Sequence, residues 1–215
     1  LQPGTWLMTG GIGRRDSLGN TETIHAGELN LMPAGAGVSH SEFSLDIDGS
    51  MHGLQFWLAL PESRRHGEAT FEHFVDLPRA QGDGWSATVF MGEYHGQTSP
   101  AVAYSPMVGA QFTLEPGEHR LPLNPEFEHG VLAIDMSVDI DAERLAQRTL
   151  RYLPVGADSI LVDAPVRTSI VLIGGEPWEE PLIMWWNFVA RTHEEIVEAR
   201  ADWEAASERF GTVKG

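Results

Sequence analysis

The stretch GELNLMPAGAGVSHSE, residues 27–42, decides how the chain is read. Gly27 is a turn glycine, residues 29–32 form an apolar strand, and residues 33–37 are a Pro/Gly loop. A second extended run, residues 38–45, carries His40 and Glu42. Side chains alternate between the two faces of a strand, so His40 and Glu42 project from the same face. A neutral imidazole beside a carboxylate is a donor pair suited to Fe(II), Mn(II), Ni(II) or Zn(II). Two donors are too few for a catalytic centre, and one or two more must come from elsewhere. The same residues also suit a sheet histidine bonded to a neighbour beside a surface glutamate, and composition alone does not choose.

Working outward, short extended runs recur in both directions. Residues 6–9 and 21–24 flank a glycine turn and the turn formers of residues 14–20. Downstream, residues 52–60 place Leu54, Phe56 and Leu58 on one face and Gln55 and Trp57 on the other. Both faces are expected to be buried, which requires a partner for the Gln55 amide. Further strands are expected at residues 70–75, 87–91, 102–103, 111–114, 130–136, 159–162 and 169–173. Residues 141–151 read either as a helical turn or as a solvated hairpin. Near the end, Thr192 and Glu195 form a capping box, in which Glu195 reaches back to the cap amide. Ile196, Ala199, Trp203, Ala206 and Phe210 then recur at helical spacing, and Gly211 marks a stop, so a helix is expected over residues 192–210. The fold expected is all-β with a closing helix, in two units: residues 1–104, and residues 105–215 including the helix.

Composition narrows the function. The 215 residues carry 31 acidic against 14 basic side chains, a formal charge of −17, which opposes direct binding to nucleic acid. With no cysteine there is no disulfide, thiolate metal site or cysteine nucleophile. No window is apolar enough to span a membrane. No phosphate loop, dinucleotide fingerprint or zinc-protease motif occurs. Ser39 and Ser41 point away from His40 on a strand, which makes a Ser–His dyad geometrically poor. Of the nine histidines, 25, 66, 73, 95 and 193 read as solvated or core residues. His119 and His129 fall in the second half, where residues 156–176 hold no histidine, so no second metal site is expected. Leu1 reads like the approach to an internal strand. The sequence is therefore expected to lack its natural N-terminus, and a cytoplasmic location is expected with an upstream signal left open.

Several of these stretches together resemble the pirin family of bicupins. The resemblance rests on RDSLGN at residues 15–20, MPAGAGVSHSE at 32–42 and GLQFWLALP at 53–61. It extends through GGEP at 174–177, Glu180-Pro181 and Asn187-Phe188-Val189 to the closing helix. It implies two jelly-roll barrels, with iron held only in the N-terminal one by three histidines and a glutamate. His40 and Glu42 match the third histidine and the glutamate. The first two ligands of the family sit in a His-Pro-His segment that would precede Leu1, so the first barrel is expected to be incomplete and the metal absent from this chain. Fe(II) is the metal implied, with another divalent ion as the alternative. The activity implied is that of a quercetin 2,3-dioxygenase acting on a flavonol-like aromatic, with Glu42 also taking the substrate hydroxyl proton. Two other readings follow from the same likeness: a metal- or redox-sensing protein that docks on a protein partner without turnover, as the nuclear co-regulators of animals do, and a structural bicupin without working metal.

Overall fold

The computed structural model describes residues 1–45 and 49–214. Among the described residues there are twenty strands and one helix, arranged in two compact units: Leu1–Val75 together with Trp178–Gly215, and Asp76–Pro177. No helix among the described residues is long and apolar enough to cross a membrane.

The first unit begins with β1 (Gln2–Thr9), β2 (Gly11–Asp16), β3 (Thr21–His25) and β4 (Leu29–Leu31). It continues with β5 (His40–Leu45), β6 (His52–Leu58) and β7 (Glu72–Phe74). One antiparallel sheet has the order β6-β1-β4-β7 and another the order β3-β2-β5. Glycine allows aromatic side chains to lie flat across both sheets. A Cβ at Gly4 would stand 2.4 Å from the Phe56 ring, and one at Gly13 would stand 2.3 Å from the Phe43 ring. Leu7, Ile12 and Ile24 form an apolar cluster at the strand ends.

The second unit holds β8 (Arg79–Gly82), β9 (Trp85–Tyr94), β10 (Gln97–Thr98), β11 (Met107–Leu114), β12 (Gly117–Pro122) and β13 (Glu128–Ala133). After these come β14 (Val138–Ile140), β15 (Glu143–Leu145), β16 (Leu150–Leu153), β17 (Ser159–Ala164) and β18 (Thr168–Gly175). The larger sheet runs β10-β9-β11-β18-β13-β16, with β8 also on β9, and the smaller runs β12-β17-β14-β15. From β11 onward the chain passes back and forth between the two sheets, and the inward residues of both meet in one core. Val89, Phe112, Val131 and Ile170 from the larger sheet join Leu121, Ile140 and Val162 from the smaller, all fully buried. This alternation of inward apolar and outward polar positions is what two packed antiparallel sheets require.

The chain then returns to the first unit with the hairpin β19 (Ile183–Trp185) and β20 (Phe188–Ala190) and helix α1 (His193–Glu204). Thr192 caps the helix, accepting from Glu195 N–H at 3.3 Å. The Glu195 carboxylate accepts from Arg191 N–H at 2.8 Å and from the Arg65 guanidinium through two bonds of 2.7 and 3.1 Å. The main-chain N–H of Ser39 donates to the Phe210 carbonyl at 2.9 Å. These bonds, together with Phe210 packing on Phe188, hold the closing segment among the residues of the first unit. In these compact units the closing helix groups with Leu1–Val75.

Differences from the sequence expectation have local causes. The helix ends at Glu204 because Ala206 turns left-handed, with φ 50°, and Phe210 reaches the core from the irregular tail. Residues 102–103 form no strand. The hairpin reading of residues 141–151 holds: Asp141 and Ala142, with φ 49° and 65°, make the tight connection from β14 to β15. The turn expected over residues 14–20 shrinks to the segment after β2. There Asp16 Oδ1 accepts the N–H groups of Leu18 and Asn20, both at 3.0 Å, while Arg14 and Arg15 extend the strand.

Candidate active site

The register of β5 on β2 sets the site. Asp16 lies opposite His40 and Arg14 opposite Glu42, so two facing pairs of polar side chains share one face of the sheet. In the other sheet, Thr5 lies opposite both Asn30 and Gln55. Arg14, His40 and Glu42 from the first of these sheets and Thr5, Asn30 and Gln55 from the second line one cavity of about 740 Å³ within the first unit. Trp57, Trp186, Phe188, Trp203 and Phe210 add aromatic wall. A recess that sets aromatic wall against converging charged and polar groups can both hold and orient a small molecule.

Arg14 is almost fully buried. Its Nη1 donates to Asp16 Oδ2 at 2.8 Å, its Nη2 meets the Met32 sulfur, and its guanidinium lies 4.2 Å from the centre of the Phe71 ring. So held, Arg14 brings Nε within 4.0 Å of Glu42 Oε1. On the other carboxylate oxygen, Gln55 Nε2 donates to Glu42 Oε2 at 2.6 Å. The strand expected to be buried on both faces is instead half-open, and the partner its amide needed is the candidate glutamate itself.

Electrostatics set the protonation of the pair. Burial pushes the Glu42 carboxyl up, against the opposing pull of Arg14 and of the Gln55 hydrogen bond. Burial, reinforced by the Arg14 charge, pushes the His40 imidazole down, with Asp16 acting the other way. Burial raises Asp16, but hydrogen bonds from Asn20 and Arg14 outweigh it and keep the carboxyl below its usual range. His40 is therefore neutral near pH 7, with a lone pair free for a proton or a cation.

His40 and Glu42 thus come together on one wall as the sequence implied. They suit a divalent metal in kind but not in number: no group of three or more histidine, aspartate or glutamate side chains among the described residues could hold a metal ion. His119 and His129 belong to the second unit. His119 is buried and bonded through its ring nitrogens to the main-chain oxygens of Glu115 and Asp83. His73 pairs with Glu28 at 2.9 Å. Arg14 was missed in the sequence because it stood among turn formers. Its only signal is the strand alternation that places it on the Asp16 face, and that signal needs the register to be read.

Known proteins agree with this architecture. Residues 2–58 match the pirin family and residues 109–211 the pirin C-terminal cupin domain. The Pseudomonas aeruginosa protein named "Putative quercetin 2,3-dioxygenase PA1205" is 37% identical over 214 residues, covering 99% of this chain and 68% of that protein. A pirin-like protein of Caulobacter vibrioides is 33% identical over 208 residues, covering 94% of this chain and 71% of its own length. The crystal structure of a quercetin 2,3-dioxygenase from Acinetobacter baumannii is 40% identical and superposes with a TM-score of 0.95. It covers 98% of this chain and 71% of its own. With its two β-units, closing helix and cavity-borne His–Glu pair, the chain belongs to the pirin family.

Proposed function

We propose that this chain carries part of the active site of a metal-dependent dioxygenase of quercetin 2,3-dioxygenase type. His40 and Glu42 supply two of the metal's ligands. The observation that carries the reading is the His–Glu pair on the wall of an aromatic cavity of about 740 Å³, a size suited to a flavonol-like substrate. The similarity to proteins bearing that dioxygenase name supports it. A bound divalent metal, Fe(II) first among candidates, would act there as Lewis acid and template. Two ligands do not complete such a centre, so the reading requires further donors beyond the described residues.

The residues of the chain have roles of their own. Gln55 and Arg14 hold the two oxygens of Glu42, which fixes the carboxylate and leaves it able to take a proton from a substrate hydroxyl. The aromatic wall orients a flat substrate and keeps water from it. The test is iron content and oxygen uptake with quercetin, measured on the protein that carries these 215 residues and on its His40→Ala and Glu42→Gln variants. Iron at one equivalent and quercetin-dependent oxygen uptake are expected, and His40→Ala should lower both at least tenfold. Full iron occupancy with no turnover across a panel of flavonols would overturn the dioxygenase reading.

A further inference from the structure

The second unit contains a cavity of its own, about 890 Å³, at the end of the sandwich where β9 and β18 finish and β11 and β13 begin. Tyr94, Val108, Leu123, Phe127, His129 and Leu172 are among its lining residues. The register explains how an imidazole comes to lie there. Val108, Gly174, His129 and Leu153 stand side by side across the larger sheet on one face. Gly174 has no side chain, and a Cβ there would fall 2.5 Å from His129 Cδ2. The glycine therefore leaves room for the ring to rest against the sheet, in a row otherwise filled by apolar side chains.

Two of the side chains in this wall carry buried polar atoms without partners. Tyr94 and His129 are 6% and 3% exposed, yet the Tyr94 hydroxyl and both ring nitrogens of His129 make no hydrogen bond of ordinary geometry. The Phe127 main chain lies near enough to favour the protonated ring, and burial outweighs it and keeps the imidazole neutral. Burial likewise keeps the Tyr94 phenol protonated. Orphaned buried groups are uncommon in folded proteins and call for an explanation. The same unit bonds its other buried histidine, His119, through both nitrogens. Thr168, also unpaired, sits at the opposite end of β18 from Gly174.

The lining also states what kind of ligand fits. It includes Glu93 and neither lysine nor arginine, which disfavours an anion. Its two histidines, His95 and His129, belong to no cluster of three or more metal-ligating side chains among the described residues, which disfavours a metal ion. Phe127, whose ring centre is 6.1 Å from that of His129, and Tyr94 offer flat surfaces. From this placement we infer that the second barrel has a separate small-molecule site for a neutral, flat aromatic bearing a hydroxyl, which hydrogen-bonds to Tyr94 and His129 as the Phe127 side chain shifts aside. No residue lines both this cavity and the one holding His40 and Glu42.

The probe is 2-naphthol, titrated into the 215-residue chain while the ring nitrogens of His129 are followed by NMR. The His129 signals move saturably, and 2-naphthoate, the flat anion, moves them far less. Tyr94→Phe, and His129→Phe followed through the fluorescence of 2-naphthol itself, each weaken binding about tenfold, as the loss of one buried hydrogen bond does. Glu42→Gln leaves the response of His129 unchanged. His129 signals that stay fixed at saturating 2-naphthol in the unmutated protein would overturn the proposal and leave water as the cavity's only occupant. So would wild-type affinity in Tyr94→Phe, or loss of the His129 response in Glu42→Gln.

Discussion

The two units use the same construction, paired antiparallel sheets closing over an interior, but fill that interior differently. The second packs it with Val89, Phe112, Leu121, Val131, Ile140 and Ile170, all buried. Both units keep a cavity, but the first buries the polar Arg14, Asp16 and Asn30 in its interior and sets the more open His40, Glu42 and Gln55 at its cavity. The lesson is a division of labour within one fold. Apolar burial stabilises the second unit, whereas the first holds charged groups in fixed positions by pairing them, which costs stability and supplies chemistry.

Breaking the packing of the second unit should have the largest effect. Phe112→Ala, at a fully buried site ringed by Trp85 and Tyr94, should destabilise by about 3–5 kcal/mol. By contrast, Trp57→Ala on the first cavity's wall, 41% exposed, should cost about 1 kcal/mol or less. Urea unfolding of both variants checks the comparison, and equal losses would show the two interiors to be packed alike.

Next is the buried pair of the first unit. Arg14→Met keeps the apolar stem but leaves the buried Asp16 without its cation, at a cost of about 3 kcal/mol. The same variant should raise the Glu42 pKa, since Arg14 is one of the groups holding that carboxyl down. Carboxyl-carbon NMR of Glu42 reads this independently of stability.

The smallest effect concerns the closing helix. Arg65 and the Arg191 amide hold the Glu195 carboxyl at about 2, against an ordinary 4.5. Its folded pKa is depressed, so its contribution is complete above about pH 4.5 and is lost as the pH falls toward 2. Glu195→Gln should therefore lower stability at pH 7 by about 1 kcal/mol or less, as for a partly exposed pair, and should converge with the wild type near pH 2. Melting curves across that range test it. A difference that persists at pH 2 would assign the loss to the helix cap rather than to the ion pair.

Much of this was legible beforehand. Alternation along residues 38–45 placed His40 and Glu42 on one face, and the capping box located the start of the helix at Thr192. The apolar runs marked most of the strands, though their ends moved by several residues. The need for a Gln55 partner was also readable, because a strand amide among apolar neighbours must bond to something. What could not be read was anything that depends on pairing between distant segments. Arg14 looked like a turn residue until β2 was seen beside β5, and Phe210 looked helical until Ala206 turned the chain.

The sequence by itself therefore determined the class of fold, the family and the strand that bears the donor pair, because periodicity and local motifs are properties of short segments. Only the tertiary structure decided that Arg14 and Gln55 grip the two oxygens of Glu42, that the closing helix sides with the first unit, and that Tyr94 and His129 line one cavity. Those outcomes are set by strand register and sheet order, which bring together residues far apart in the chain and leave no local mark on any of them.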